Sequence, residues 1–164
     1  MTNLYTIKNE SVQDLAKYQY LFDSLFPFLY KQLQWDQPLE IIFRSDSNNA
    51  QEDLMKTGFY DNESNQAVIF IDKRAIKDAL KSVCHEAVHH TQNCRGDFKG
   101  RESAKDALYA IKDKYLWGME MEAYSKGAEI FRKWEDNFKA GNLKESRNDK
   151  LFKALKENYT RKMK

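Results

Sequence analysis

The segment from Arg74 to Asn93 constrains this chain most. Ile76, Leu80, Val83, Ala87 and Val88 recur at helical spacing, and the same stretch carries all three histidines of the protein, His85, His89 and His90. The residues around them, Ser82, Val83, Cys84, Ala87 and Val88, are uncharged. A helix of this kind has to be covered by another layer, and a sheet is the expected cover. The scarcity of breakers, 6 Gly and 2 Pro in 164 residues, points the same way, toward long helices and away from a turn-rich barrel.

The rest of the chain supplies that cover. Leu15, Tyr18, Leu21, Phe22, Leu25, Phe26 and Leu29 predict a helix over about 11–34, with Ser11 as its N-cap and a bend at Pro27. Its dense aromatics read as core packing. Leu39 to Arg44 predicts a buried strand, and Gly58 to Tyr60, a turn over 61–65 and Ala67 to Ile71 predict a hairpin. Residues 45–51 read as a loop. Gly96 and Gly100 mark a break, followed by helices over about 102–139, interrupted near Gly118, and about 146–162. The expected architecture is one α+β domain over 1–164. It comprises an N-terminal helical part (1–35), a core (38–139) with a small, mostly antiparallel sheet packed on the histidine-bearing helix, and a basic C-terminal helix (140–164).

Bulk properties exclude several classes. Two cysteines rule out a disulfide scaffold. No apolar run reaches about 18 residues, so no membrane span is expected. The start lacks a basic segment followed by an apolar one, so a cytoplasmic location is the default expectation. The net charge of +2 demands no polyanion, but residues 139–164 hold nine basic and three acidic residues. That end reads either as a solvated helix face or as a weak nucleic-acid contact.

His85-Glu86-Ala87-Val88-His89 carries the chemistry. On a helix of about 100° per residue, His89 returns to within roughly 40° of His85. Both imidazoles then reach one Zn²⁺ at about 2.0–2.1 Å. Glu86 lies beside the metal, placed as the general base for an activated water. The bland alternative is a helix with two exposed histidines and an ion pair.

A catalytic zinc needs a third protein ligand. His90 points about 100° beyond His89 and is expected to be a supporting or surface residue. Cys84 fails for the same reason as His90, and Cys94 reads as core. A carboxylate from a later helix remains. Glu120 shares its face with Trp117, Ala123, Tyr124, Gly127 and Phe131, and Glu122 shares its own with Ser125, Lys126, Glu129 and Lys133. A buried carboxylate needs a partner, which favours Glu120, with Glu122 as the alternative. The competing role for Glu120 is an ion pair with Arg95 or Arg101.

These residues resemble the HExxH zincins of the glutamate-ligand kind, the gluzincins, and more closely the short single-domain peptidase-like proteins of bacteria and their phages. The hairpin from Gly58 to Ile71 resembles the strands before the active-site helix. Glu120-Met121-Glu122-Ala123 resembles the E-x-x-A segment whose first glutamate binds zinc. Tyr124 stands where many relatives carry Asp or Asn. The resemblance covers roughly Gly58 to Ala123. It implies zinc-dependent amide hydrolysis of a peptide or protein substrate, with Val68 to Ile71 as an edge strand for an extended peptide. It also implies an oxyanion helper, for which Tyr109, Tyr115 and Tyr124 are candidates. The alternatives are a catalytically silent zincin-fold binding module and a nucleic-acid-associated protein using the C-terminal helix.

Overall fold

The computed structural model describes residues 4–45, 57–99 and 114–141. Strand β1 (Tyr5–Asn9) leads through a 3-10 turn (Ala16–Tyr18) into α1 (Gln19–Leu33). Then follow β2 (Leu39–Arg44), β3 (Gly58–Asp61), β4 (Gln66–Phe70), α2 (Ile76–Cys94) and α3 (Lys114–Ala140). The order is that of an α+β chain with a four-stranded sheet, β1-β2-β4-β3.

The sheet is mixed rather than mostly antiparallel. β1 runs parallel to β2, with Tyr5 opposite Leu39, and β2 runs parallel to β4, with Ile41 opposite Ala67. Only the hairpin β3–β4 is antiparallel. Sequence reading finds hairpins because their turns are local. It misses parallel pairs because their partners are brought together by a crossover. The Tyr5–Asn9 strand was not expected at all. It is mostly exposed and carries no buried alternation.

Two further expectations change with it. β4 is not an edge strand, since it lies between β2 and β3, and β3 is outermost among the described residues. The reason is visible in Ala67-Val68-Ile69-Phe70, an unbroken apolar run buried on both faces, as interior strands are. The first segment is likewise no appended helix. β1 joins the sheet, and α1 buries Leu21, Phe22, Leu25, Phe26 and Leu29 in the main core with Ile41, Val83 and Trp134.

Ser11 does not cap α1. Its N–H and hydroxyl both donate to the Asn9 side chain, and Asp14 instead accepts from the Ala16 N–H at 3.0 Å. α1 continues through Pro27 and stops where Gln34 takes a left-handed φ of 51°. The helix over Gln19–Leu33 is therefore shorter at its start than the apolar spacing implied.

Alternation along β2 and β4 sorts the two faces of the sheet. Leu39, Ile41, Phe43, Ala67 and Ile69 face the helices, whereas Ile42, Val68 and Phe70 form a small second cluster with Phe59. Arg74 fixes α2 to this sheet. Its guanidinium donates to the carbonyls of Thr57 and Phe70 and, on the helix side, to the Asp78 carbonyl and Ser82 hydroxyl.

α2 and α3 cross at Gly127. A Cβ there would lie 3.1 Å from both Cα and N of His85, atoms that belong to a helix backbone and cannot rotate away. At Gly118, where α3 is uninterrupted, a Cβ would meet nothing within 4 Å. Gly127→Ala is accordingly expected to cost about 1–3 kcal/mol relative to Gly118→Ala, because the helices must part. Gly118→Ala itself should be neutral or stabilising by up to about 1 kcal/mol. Urea denaturation of both variants checks this, and equal midpoints would refute the close crossing. Residues 46–56, 100–113 and 142–164 lie outside the described residues. With them go Gly100, the start of the expected 102–139 helix, the expected helix over 146–162, and most of the loop over 45–51.

Candidate metal centre

The crossing at Gly127 sets the position of the site. Two turns before it, α3 carries Glu120, which faces the His85 and His89 turn of α2. Glu120 Oε1 lies 2.6 Å from His85 Nε2, and Glu120 Oε2 lies 3.1 Å from His89 Nε2. One ligand atom from each of His85, His89 and Glu120 lies within 4.8 Å of the others, so the group could hold a metal ion. These are the three residues that helix faces and spacing selected in the sequence. Their burial is graded: His89 is enclosed, while His85 and Glu120 reach partly to solvent.

Glu86 completes the cluster from the neighbouring position on α2. It is only 6% exposed, and its Oε1 lies 3.9 Å from His85 Nε2. Its other oxygen, Oε2, is buried and has no hydrogen-bond partner among the described residues. Leaving a buried carboxylate oxygen unpaired is costly, and a water or an ion is one partner that would relieve it. This orphaned oxygen, together with two imidazole nitrogens and a carboxylate, is the donor set and surroundings that suit a divalent metal.

Electrostatics divides the two carboxylates. Burial pushes Glu86 above the usual carboxylate range, and the nearby His89 and His85 offset this only in part. Burial acts upward on Glu120 too, but hydrogen bonds and charge from His85 and His89 outweigh it and hold its carboxyl down at about 2. For His89, burial acts downward, and the bond from Glu120 and the charge of Glu86 overcome it and raise the imidazole. One acid is therefore a committed anion, and the other is poised to take up a proton.

The remaining candidates fall elsewhere. His90 is fully buried and points away, as the helix geometry requires, but it is not a surface residue. Its Nε2–H donates to the Gln37 carbonyl at 2.7 Å, so its Nδ1 accepts from the Tyr60 hydroxyl at 2.7 Å. Both nitrogens are used in tying α2 to β3 and to the chain before β2. Glu122 is exposed and paired with Arg95, so Arg95 is not a partner of Glu120. Arg101 and Tyr109 lie outside the described residues. Cys84 is buried, which pushes its thiol up to about 12, and Cys94 is half-buried beside His90. Tyr115 donates to the Asp97 carbonyl. Tyr124 packs on His85, with ring centroids 4.4 Å apart.

One participant was missed. Gln92 is fully buried, and its Oε1 lies 2.7 Å from His89 Nδ1. The signal was present as the i, i+3 spacing from His89 to Gln92, which places neighbours on one helix face. Only the tertiary contact shows that the amide turns toward the ring. No protein-family model, curated protein or solved structure matches the chain. No helix of the described residues is long and apolar enough to cross a membrane.

Proposed function

We propose that this protein is a zinc-dependent, metallopeptidase-like hydrolase with a zincin type of site. The observation that carries this reading is the juxtaposition of His85, His89 and Glu120 with the buried, half-unpaired carboxylate of Glu86. A zinc ion on these ligands would supply Lewis acidity, polarising a carbonyl and making a water acidic near neutral pH.

The chain's own groups account for the rest. Glu86 Oε2 has a free lone pair for the proton of the attacking water. Water oxygen bonds to the carbonyl carbon, the C–N bond breaks, and Glu86 returns that proton to the departing amine nitrogen. Tyr124, packed against His85 at a tilt of 58°, is the candidate donor to the carbonyl oxygen, ahead of Tyr115, whose hydroxyl already serves Asp97. An extended peptide would lie along β3 rather than β4, because among the described residues β3 is outermost on that side of the sheet and β4 is interior.

The deciding experiment is metal analysis of protein purified without chelator, followed by digestion of a broad peptide library. One zinc per chain and discrete cleavage products are expected. Absence of zinc defeats the reading. Zinc without cleavage would leave a zincin-type binding module in its place.

A further inference from the structure

Gln92 lies almost one helical turn after His89 on α2, and the two ends of its amide meet different chemistry. The Nε2 end lies 2.9 Å from the Met119 carbonyl oxygen and 2.7 Å from Glu122 Oε1. A backbone carbonyl accepts only. Glu122 Oε1 is an acceptor too, because the Arg95 guanidinium donates to that same oxygen at 2.7 Å. Two acceptors on the same atom require an NH₂ group there. Turned the other way, the amide would set its oxygen against two oxygens inside a closed space. The oxygen end is therefore fixed toward His89 Nδ1, at 2.7 Å. An amide oxygen cannot donate, so the proton of that bond belongs to Nδ1.

We propose that Gln92 is a positioning residue that keeps His89 protonated at Nδ1, so that its Nε2 lone pair faces the metal. The proposal rests on the metal-site reading above. It also gives Glu122 a task other than ligation. Glu122 holds the Gln92 nitrogen, and Arg95 in turn holds Glu122 while gripping Asp97 at 2.6 Å, so the orientation is passed inward from the surface. Partners of this kind behind a metal-bound histidine set its tautomer and ring angle.

The experiment uses the full chain and two readouts. Zinc affinity is measured by competition with a coloured chelator for the wild type and Gln92→Leu, which removes both polar ends at similar bulk. A tenfold to hundredfold weaker affinity is expected for the variant. Long-range proton–nitrogen spectra of ¹⁵N-histidine protein are recorded with and without zinc, the latter at a pH where the imidazoles are neutral. His89 should show Nδ1–H in both wild-type spectra and a mixture of tautomers in metal-free Gln92→Leu. Affinities within twofold of each other, or a wild-type His89 bare at Nδ1, overturn the proposal. If the wild type takes up no zinc, the metal-site reading fails, and the metal-free spectrum still decides the role of Gln92. That wild-type spectrum also decides it if Gln92→Leu does not fold.

Discussion

Glu86→Gln is expected to lower peptide hydrolysis by about 10²–10⁴-fold while zinc content stays at one per chain. The amide matches the carboxylate in shape, so the buried position between His85 and Ala87 remains filled. What disappears is the capacity to take a proton at Oε2, the buried atom with no partner among the described residues. Stability should not suffer, because burial already disfavours the charged form of Glu86. The same shift has a pH signature. Protonated Glu86 cannot act as base, and its pKa is raised, so activity should fall on the acid side at a pH above the ordinary carboxylate range. Liquid chromatography of peptide digests at several pH values checks both statements. A variant that keeps wild-type rates would remove Glu86 from the reaction and, with it, the hydrolase reading.

Zinc is expected to raise the melting temperature of chelator-stripped protein substantially, and Glu120→Ala is expected to remove most of that rise. A ligand present at about a thousand times its Kd stabilises by about 4 kcal/mol, and a domain of this size gains roughly 2–4 °C per kcal/mol. Zinc would enter where Glu120 stands 2.6 Å from His85 Nε2 and 3.1 Å from His89 Nε2. A contact of 2.6 Å between the Glu120 carboxylate and His85 Nε2 needs a proton between them, so metal binding there must displace it. The gain from zinc should accordingly shrink as pH falls. Glu120 itself, held at about 2, contributes stability above its unfolded pKa of about 4, and this is lost as pH drops through the folded value. Thermal scans of both proteins with and without zinc provide the test. An unchanged melting temperature in the wild type would leave these residues a plain ion-paired cluster.

Much of the site was legible because it is local. His85, Glu86 and His89 lie on one helix, and a fixed turn of about 100° decides which of them act together. Glu120 was reachable by a second local argument, the company it keeps on its own helix. That argument was partly loose. Of the neighbours it relied on, Ala123, Gly127 and Phe131 are buried, but Trp117 and Tyr124 are exposed. Glu120 sits at the margin of the core rather than inside it, as a group serving an accessible site must. His90 shows the limit of the same reasoning. Its direction follows from the helix, but its burial depends on Tyr60 and Gln37, which come from other parts of the chain.

The sheet was less legible, and the physical cause is the same throughout. β3 and β4 declare themselves through a short turn, ending in Asn65 at a left-handed φ of 56°. β1 has no such neighbour. Its partner β2 lies beyond all of α1, and an exposed five-residue strand carries too little pattern to be seen alone.

The sequence by itself determined the helix that carries the three histidines, the shared face of His85 and His89, the flanking place of Glu86, and the preference for Glu120 over Glu122 as their neighbour. These depend on helix geometry and residue chemistry, which act over a few positions. Only the tertiary structure decided which oxygen of which glutamate meets the two rings, that β4 lies inside the sheet, and that Gln92 stands behind His89. Those depend on how close two helices approach at Gly127 and on strands paired across a crossover, and neither distance is written in any short stretch of the chain.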